Sequence, residues 1–304
     1  MLSLQVIFRN ARKLGIAIPA FNIPYLPMLE PVVRAVVDQN GFAMIETARL
    51  EWLKFEAGGP QVIAQEFYRC QDAGHVRLHL DHIPVIDEDG QRVDYLTIIQ
   101  QSIELGYHSV MVDGSRLALE DNIAATHQAV ALAHQAGIPC EAELGTVFGH
   151  EAGPLPPYET LFASGSGFTK VNEARRFVAE TGCDWLSVAI GSVHGAISQG
   201  YKDQKKIAAR LNLERLEQLS KATAIPLVLH GGSGIPREDV LVAFQKGITK
   251  INIATEIRQA YEASLRLSGK ISAAQEAVYQ HTQWLIGEYF GLQNDQALLM
   301  QEGS

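Results

Sequence analysis

Apolar positions along this chain follow two alternating rhythms. Short runs rich in β-branched residues cover 15–23, 42–48, 76–82, 109–115, 140–145, 185–195, 226–233 and 250–255, and their period of two, or unbroken aliphatic character, predicts strands. Between them apolar residues recur three and four places apart, as in Met28-Val32-Ala35-Val36, Ile123-Thr126-Val130-Ala133 and Leu213-Leu216-Leu219, which predicts amphipathic helices. Glycine closes many of these segments before the next strand, at Gly41, Gly74, Gly106, Gly137, Gly182 and Gly247, the usual helix-end residue. Eight strand–helix units in one chain predict an α/β fold of the (β/α)8 TIM-barrel type rather than an open doubly wound sheet. The expected domain spans 1–304, with the barrel at about 15–265 and a helical tail at about 268–304. Val278, Trp284, Leu285 and Tyr289 stand at roughly helical spacing in that tail, which is expected to cover the barrel bottom or meet another subunit.

In such a barrel the reacting groups come from the C-terminal ends of the strands and the loops after them. Three strand-like runs end there on histidine: Leu78-His79-Leu80-Asp81-His82, the run from Trp185 that delivers His194, and Pro226 to His230. A lone histidine in an apolar strand is commonly a core group, but barrel closure brings these three ends together. Neutral imidazoles with an open position suit a catalytic metal, so His82, His194 and His230 are the expected ligands. Asp81 either orients an imidazole or moves a proton. His79, three residues before His82, is expected on the other side of the strand in a structural role, and the remaining six histidines in helices, turns or the lid. Glu143, at the end of the fifth run, reads as a carboxylate near the metal or a barrel-interior charge. Gly231-Gly232-Ser233-Gly234 and Asn252-Ile253-Ala254-Thr255 follow the seventh and eighth runs. There, backbone N–H groups, hydroxyls and a helix start make a phosphate site.

Three connections are long. After His82 come Ile83 to Arg92 with the acidic Asp87-Glu88-Asp89-Gly90 turn; after Gly145 a Gly- and Pro-rich stretch to Phe168 that contains Glu151 reads as a lid; and Ala196 to Arg210 carries Tyr201, Lys202, Lys205 and Lys206. A base such as Glu151 can reach a site on closure of a lid. The net charge of −9 offers no field for nucleic acid or an anionic membrane. An odd set of cysteines, Cys70, Cys140 and Cys183, favours reduced thiols and a cytoplasmic protein. No run is long enough for a membrane helix and the N-terminus lacks a signal-peptide pattern.

The set LHLDH (78–82), SVMVDGS (109–115), CEAELG (140–145), LSVAIGSVHG (186–195), PLVLHGGSG (226–234) and KINIATE (250–256), in order on the right strands, resembles the class II, zinc-dependent fructose 1,6- and tagatose 1,6-bisphosphate aldolases. The resemblance runs from about Ala20 through Tyr261. It implies Zn2+ on His82, His194 and His230, Asp81 as the proton donor and acceptor at the carbon–carbon bond, and Glu151 as the lid base. It also implies dihydroxyacetone phosphate held by Asn22, Gly195, Gly231, Gly232, Ser233, Asn252, Ile253, Ala254 and Thr255. Glu143 then stands near the metal, a monovalent cation (Na+ or K+) beside the phosphate, and a homodimer or homotetramer is the expected assembly.

This chain departs from that pattern mainly on the aldehyde side. Ile83-Pro84 opens a longer acidic loop, Ala48 stands where a hydroxyl residue is expected (Thr47 is adjacent), Arg116 replaces a histidine after the fourth run, and the loop after His194 is lengthened. The tail also lacks the arginine-bearing segment that grips a second phosphate. An altered aldehyde partner is the expectation. Two rivals remain: a Schiff-base aldolase using Lys250, which stands at the start of the eighth run at the wrong end of the barrel, and a non-catalytic sugar-phosphate-binding barrel or partner subunit.

Overall fold

A computed structural model describes residues 2–148, 157–194 and 209–301. Eight parallel strands close into a barrel in sequence order: β1 (Ile18–Asn22), β2 (Ala43–Ala48), β3 (Val76–Pro84), β4 (Ser109–Asp113), β5 (Cys140–Leu144), β6 (Trp185–Val188), β7 (Leu227–Leu229) and β8 (Ile248–Ile253). The expected (β/α)8 barrel is therefore the fold. The β6 and β7 runs are shorter than their sequence suggests, so His194 and His230 stand on the chain just beyond them.

Strand alternation divides the residues cleanly. Ile45, Leu78, Leu80, Val110, Val112, Ala142, Leu186, Leu227, Leu229, Ile251 and Ile253 pack outward in the shell between strands and helices. Low in the barrel the inward positions are apolar, and Ile18, Ala20, Met44, Trp185 and Val228 meet Leu4, Ile7, Phe8 and Ala11. These last belong to the helix Leu4–Leu14, which plugs the bottom; its Phe8 ring stacks on Trp185 with centroids 3.7 Å apart. The tail shares in this closure. Leu299 joins the same cluster, and Asn10 Nδ2 donates to Leu299 O at 2.9 Å. Earlier in the tail the helix Ile271–Trp284 packs on the helices Thr255–Ser268 and Leu29–Asp38 outside the barrel.

Strand β3 breaks the alternation next to the site. The β3–β4 register shifts between Leu80 and Ile83, and His82 has a positive φ of 38°. A bulge of this kind inserts a residue and re-aims its neighbours. Asp81 follows His79 by two and faces inward as it does, and the bulge turns His82 to the mouth as well. The expectation that His79 faces away from the site is thereby corrected: spacing by three inverts the face only in a regular strand.

The acidic segment after β3 is also tighter than its length suggests. Ile86 pairs with Arg92, and the 7 %-exposed Asp87 accepts from Asp89 N at 3.1 Å and Gln91 N at 2.8 Å. Its carboxylate thus builds the turn, and Arg49 Nη1 lies 3.4 Å away.

Candidate active site

Midway up the barrel the inward positions become charged. Lys250 Nζ lies 2.6 Å from Glu46 Oε1 and 2.9 Å from Glu141 Oε2, all fully buried. Burial disfavours a charge on Glu141, but Lys250 and then His230 outweigh it and bring that carboxyl down to about 2. Burial acts against the Lys250 ammonium too, yet Glu141 and Glu46 hold it above its usual range. Lys250 is the third residue of β8, not its start, and an ammonium sealed this way offers no lone pair to a carbonyl. The Schiff-base reading therefore fails. His79 sits in the same layer, with Nδ1 2.7 Å from Ser109 Oγ; burial, then Lys250, takes it down to about 3, so it is neutral.

Above this layer the three histidines converge. One ring nitrogen each of His82, His194 and His230 lies within 4.8 Å of the others, and His82 Nε2 approaches His230 Nδ1 to 2.6 Å. The outer nitrogens are taken: His230 Nε2 donates to Glu141 at 2.8 Å, and His82 Nδ1 lies 3.3 Å from Asp113 Oδ2. Carboxylates only accept, so these contacts leave the inner nitrogens facing each other. Burial opposes charge on His82, but Asp81 and Asp113 outweigh it and raise that imidazole well above its ordinary value; burial and His82 lower that of His230. The two inner nitrogens face each other at a point where a cation would satisfy both lone pairs. Glu143 Oε2 lies 3.9 Å from His82 and 3.6 Å from His230. Burial, then Asp113, pushes its carboxyl well above the usual range.

Asp81, 1 % exposed, stands beside this cluster. Asn22 Nδ2 donates to its Oδ2 at 2.9 Å and Asn252 Nδ2 to its Oδ1 at 3.1 Å. Burial works against its charge, yet His82, then Lys250, hold it below the ordinary carboxylate range. It is an ionised carboxylate fixed at both oxygens.

A cleft of about 310 Å³ opens over these groups. Gly231, Ser233, Asn252, Ala254 and Thr255 line one side of it, with Thr255 opening the helix Thr255–Ser268. Gly231 has a φ of +67°, and a Cβ there would lie 2.4 Å from Val193 O, so only glycine brings this loop against the segment that carries His194. Two expected members face elsewhere. Gly232 N donates to Asn252 O at 3.2 Å, and the Ile253 side chain is buried in the outer shell. Glu151 and Gly195 lie outside the described residues. Pro24, Ala48, Leu50, Glu51, Phe55, Pro84 and Glu88 line the cleft as well. Thr47 does not replace the missing hydroxyl, because alternation turns it outward, where its Oγ1 is buried without a hydrogen bond.

Comparison with known proteins agrees with this architecture. The family profile described as "Fructose-bisphosphate aldolase class-II" matches residues 2–294. This chain belongs to the class-II fructose-bisphosphate aldolase family. It is an aldolase, a carbon–carbon lyase. A fructose-bisphosphate aldolase of Streptococcus pyogenes serotype M3 is 32 % identical over 284 residues, covering 92 % of this chain and 87 % of that one. Among solved structures, the YdjI aldolase of Escherichia coli K12 superimposes with a TM-score of 0.75 at 28 % identity, over 96 % of this chain and 98 % of that one. The fructose-bisphosphate aldolase of Campylobacter jejuni shares the fold, with a TM-score of 0.72 at 17 % identity over 96 % of both chains.

Several residues of this aldolase's cleft and of the layer beneath it were not singled out from the sequence. Glu141 was legible in principle, two places before Glu143 on a strand of period two. Glu51 and Arg258 were not, because they stand on helices whose phase toward the cleft depends on packing. Arg258 lines the cleft, pairs with Glu262 at 2.7 Å and lies 5.3 Å from the Phe55 ring centre.

Proposed function

We propose that this chain is a zinc-dependent aldolase that reversibly joins dihydroxyacetone phosphate to an aldehyde, related to fructose 1,6- and tagatose 1,6-bisphosphate cleavage but with another aldehyde partner. The observation that carries this reading is the convergence of ring nitrogens of His82, His194 and His230 within 4.8 Å of one another, beside an aspartate fixed at both oxygens. Zinc bound to these imidazoles would supply Lewis acidity toward the ketose carbonyl and its neighbouring hydroxyl. Glu141 and Asp113 hold His230 and His82 in the required orientation, and Glu143 stands beside them. Asp81 takes the proton of the C4 hydroxyl during cleavage and returns it to the aldehyde oxygen during synthesis. Its two asparagine donors fix where that transfer occurs. Gly231, Ser233, Asn252 and Thr255 receive the ketose phosphate, with the N-terminus of the Thr255–Ser268 helix adding its positive end. Glu151 is the base that removes the ketose proton, and Gly195 completes the phosphate side, both on the strength of the motif.

The three free thiols support a cytoplasmic setting. Leu267 and Trp284, 89 % and 45 % exposed on the last helices, support a homodimer or homotetramer. A monovalent cation beside the phosphate belongs to the same reading. The test is a panel of aldehydes offered with dihydroxyacetone phosphate to protein stripped by a chelator and then reloaded. Activity should vanish on stripping and return with zinc, without covalent trapping by borohydride. Full activity in the stripped protein would overturn the zinc assignment.

A further inference from the structure

We propose that Glu51 reads the aldehyde partner, its carboxyl hydrogen-bonding hydroxyl groups of a polyhydroxylated aldehyde that bears no phosphate at that end. The proposal rests on the dihydroxyacetone phosphate reading above and names the substrate class on the other side of the bond.

The helix Arg49–Lys54 begins directly where β2 ends, with no intervening loop. Its third residue, Glu51, folds back so that Oε2 accepts from Ala48 N at 2.8 Å. This one-way cap, the carboxylate half of a capping box, explains one oxygen. It does not explain why a carboxyl only 6 % exposed lines the cleft wall. A buried carboxyl is costly unless its remaining capacity is met. Asn22 bonds it as well as Asp81, so Glu51 stands one side chain away from the group that handles the aldehyde oxygen. Burial above all, and secondarily Asp81, pushes it up to about 8; a carboxyl near that value presents both a donor and acceptors.

The surroundings favour neutral hydroxyls over a phosphate. Ala48, Leu50, Phe55 and Pro84 are apolar neighbours on that wall, and Glu88 adds a second carboxyl. A phosphate dianion placed there would meet two carboxyls. Of the two guanidinium groups in the cleft, Arg258 already faces Glu262 at 2.7 Å, and Arg116 is exposed at the rim beyond β4.

The decisive measurement is kcat/KM for addition of dihydroxyacetone phosphate to glyceraldehyde and to glyceraldehyde 3-phosphate, in the zinc-loaded wild type, E51Q and E51A. The wild type should favour the unphosphorylated aldehyde. E51A should lose about tenfold or more on glyceraldehyde, the scale of one hydrogen bond to substrate, and less on the phosphate ester, so the selectivity ratio moves by the quotient of the two losses. E51Q, which keeps the cap to Ala48, should fall between them. A purely capping role would lower both aldehydes by one factor and leave the ratio unmoved, overturning the proposal. So would a wild type that prefers the phosphate ester. Solvent-hydrogen exchange into dihydroxyacetone phosphate needs no aldehyde and keeps the two levels apart. Its absence in the wild type overturns the ketose assignment and this proposal together, whereas exchange with an unmoved ratio overturns this proposal alone.

Discussion

Asp81 is held by two asparagines and by the charges of His82 and Lys250, and each restraint serves proton transfer more than stability. Replacing it with asparagine keeps the volume and removes the basic site. Asp81→Asn should therefore lower kcat by about 10²–10⁴-fold while the purified protein still binds one zinc per chain, as metal analysis would show. Loss of zinc together with activity would move Asp81 from proton carrier to metal support. His82 carries a different cost. Its φ of 38° is rare for a non-glycine residue, and the bulge that imposes it is what presents both Asp81 and His82 to the mouth. Strain at this point is stored where the proposed chemistry occurs, as such strain often is.

At the scale of elements, the helix Leu4–Leu14 closes the barrel from below. Its capping follows the sequence: Ser3 Oγ accepts from Val6 N, and Gly15 ends it in the left-handed region at φ 65°. Phe8, fully buried against Trp185, is its anchor. Phe8→Ala should cost about 3–5 kcal/mol, read as a lower denaturant midpoint with an unchanged slope. A change near zero would mean that the plug is dispensable and that the barrel bottom closes by other contacts. The acidic turn after β3 shows the opposite relation between charge and role. Its most conspicuous carboxylate, Asp87, is consumed in binding its own backbone, and only Pro84 and Glu88 of that segment line the cleft. The proposed reader of the aldehyde, Glu51, stands on the helix after β2, and Glu88 of this loop lines the same cleft.

At the scale of the molecule, tail and barrel are joined by a buried carboxyl. Asp295, 4 % exposed, accepts from Phe42 N at 3.1 Å, and burial pushes it from an ordinary 3.8 to about 7. Between those values the folded chain binds a proton that the unfolded chain has lost. Stability should thus fall as pH rises from about 4 to about 7, by at most on the order of 4 kcal/mol, and then level off. Asp295→Asn lacks this titration, so its melting temperature should gain on the wild type across that window; parallel pH profiles would refute the linkage. Much of the whole was legible beforehand. Eight strand-like runs, each followed by a helical rhythm, point to a closed parallel barrel, because eight strand–helix units in one chain match the number at which such a barrel closes. Histidines at three strand ends then point to one centre, since closure converges those ends. Tertiary structure alone decided the rest. Local alternation cannot foresee a bulge, so the common inward face of His79, Asp81 and His82 was hidden. Helix phase is set by packing on the barrel, so Glu51 and Arg258 entered the cleft unannounced. The charge states of Lys250, Glu141 and Glu46 depend on partners distant in sequence that meet only inside the barrel, where low dielectric makes every such pairing strong.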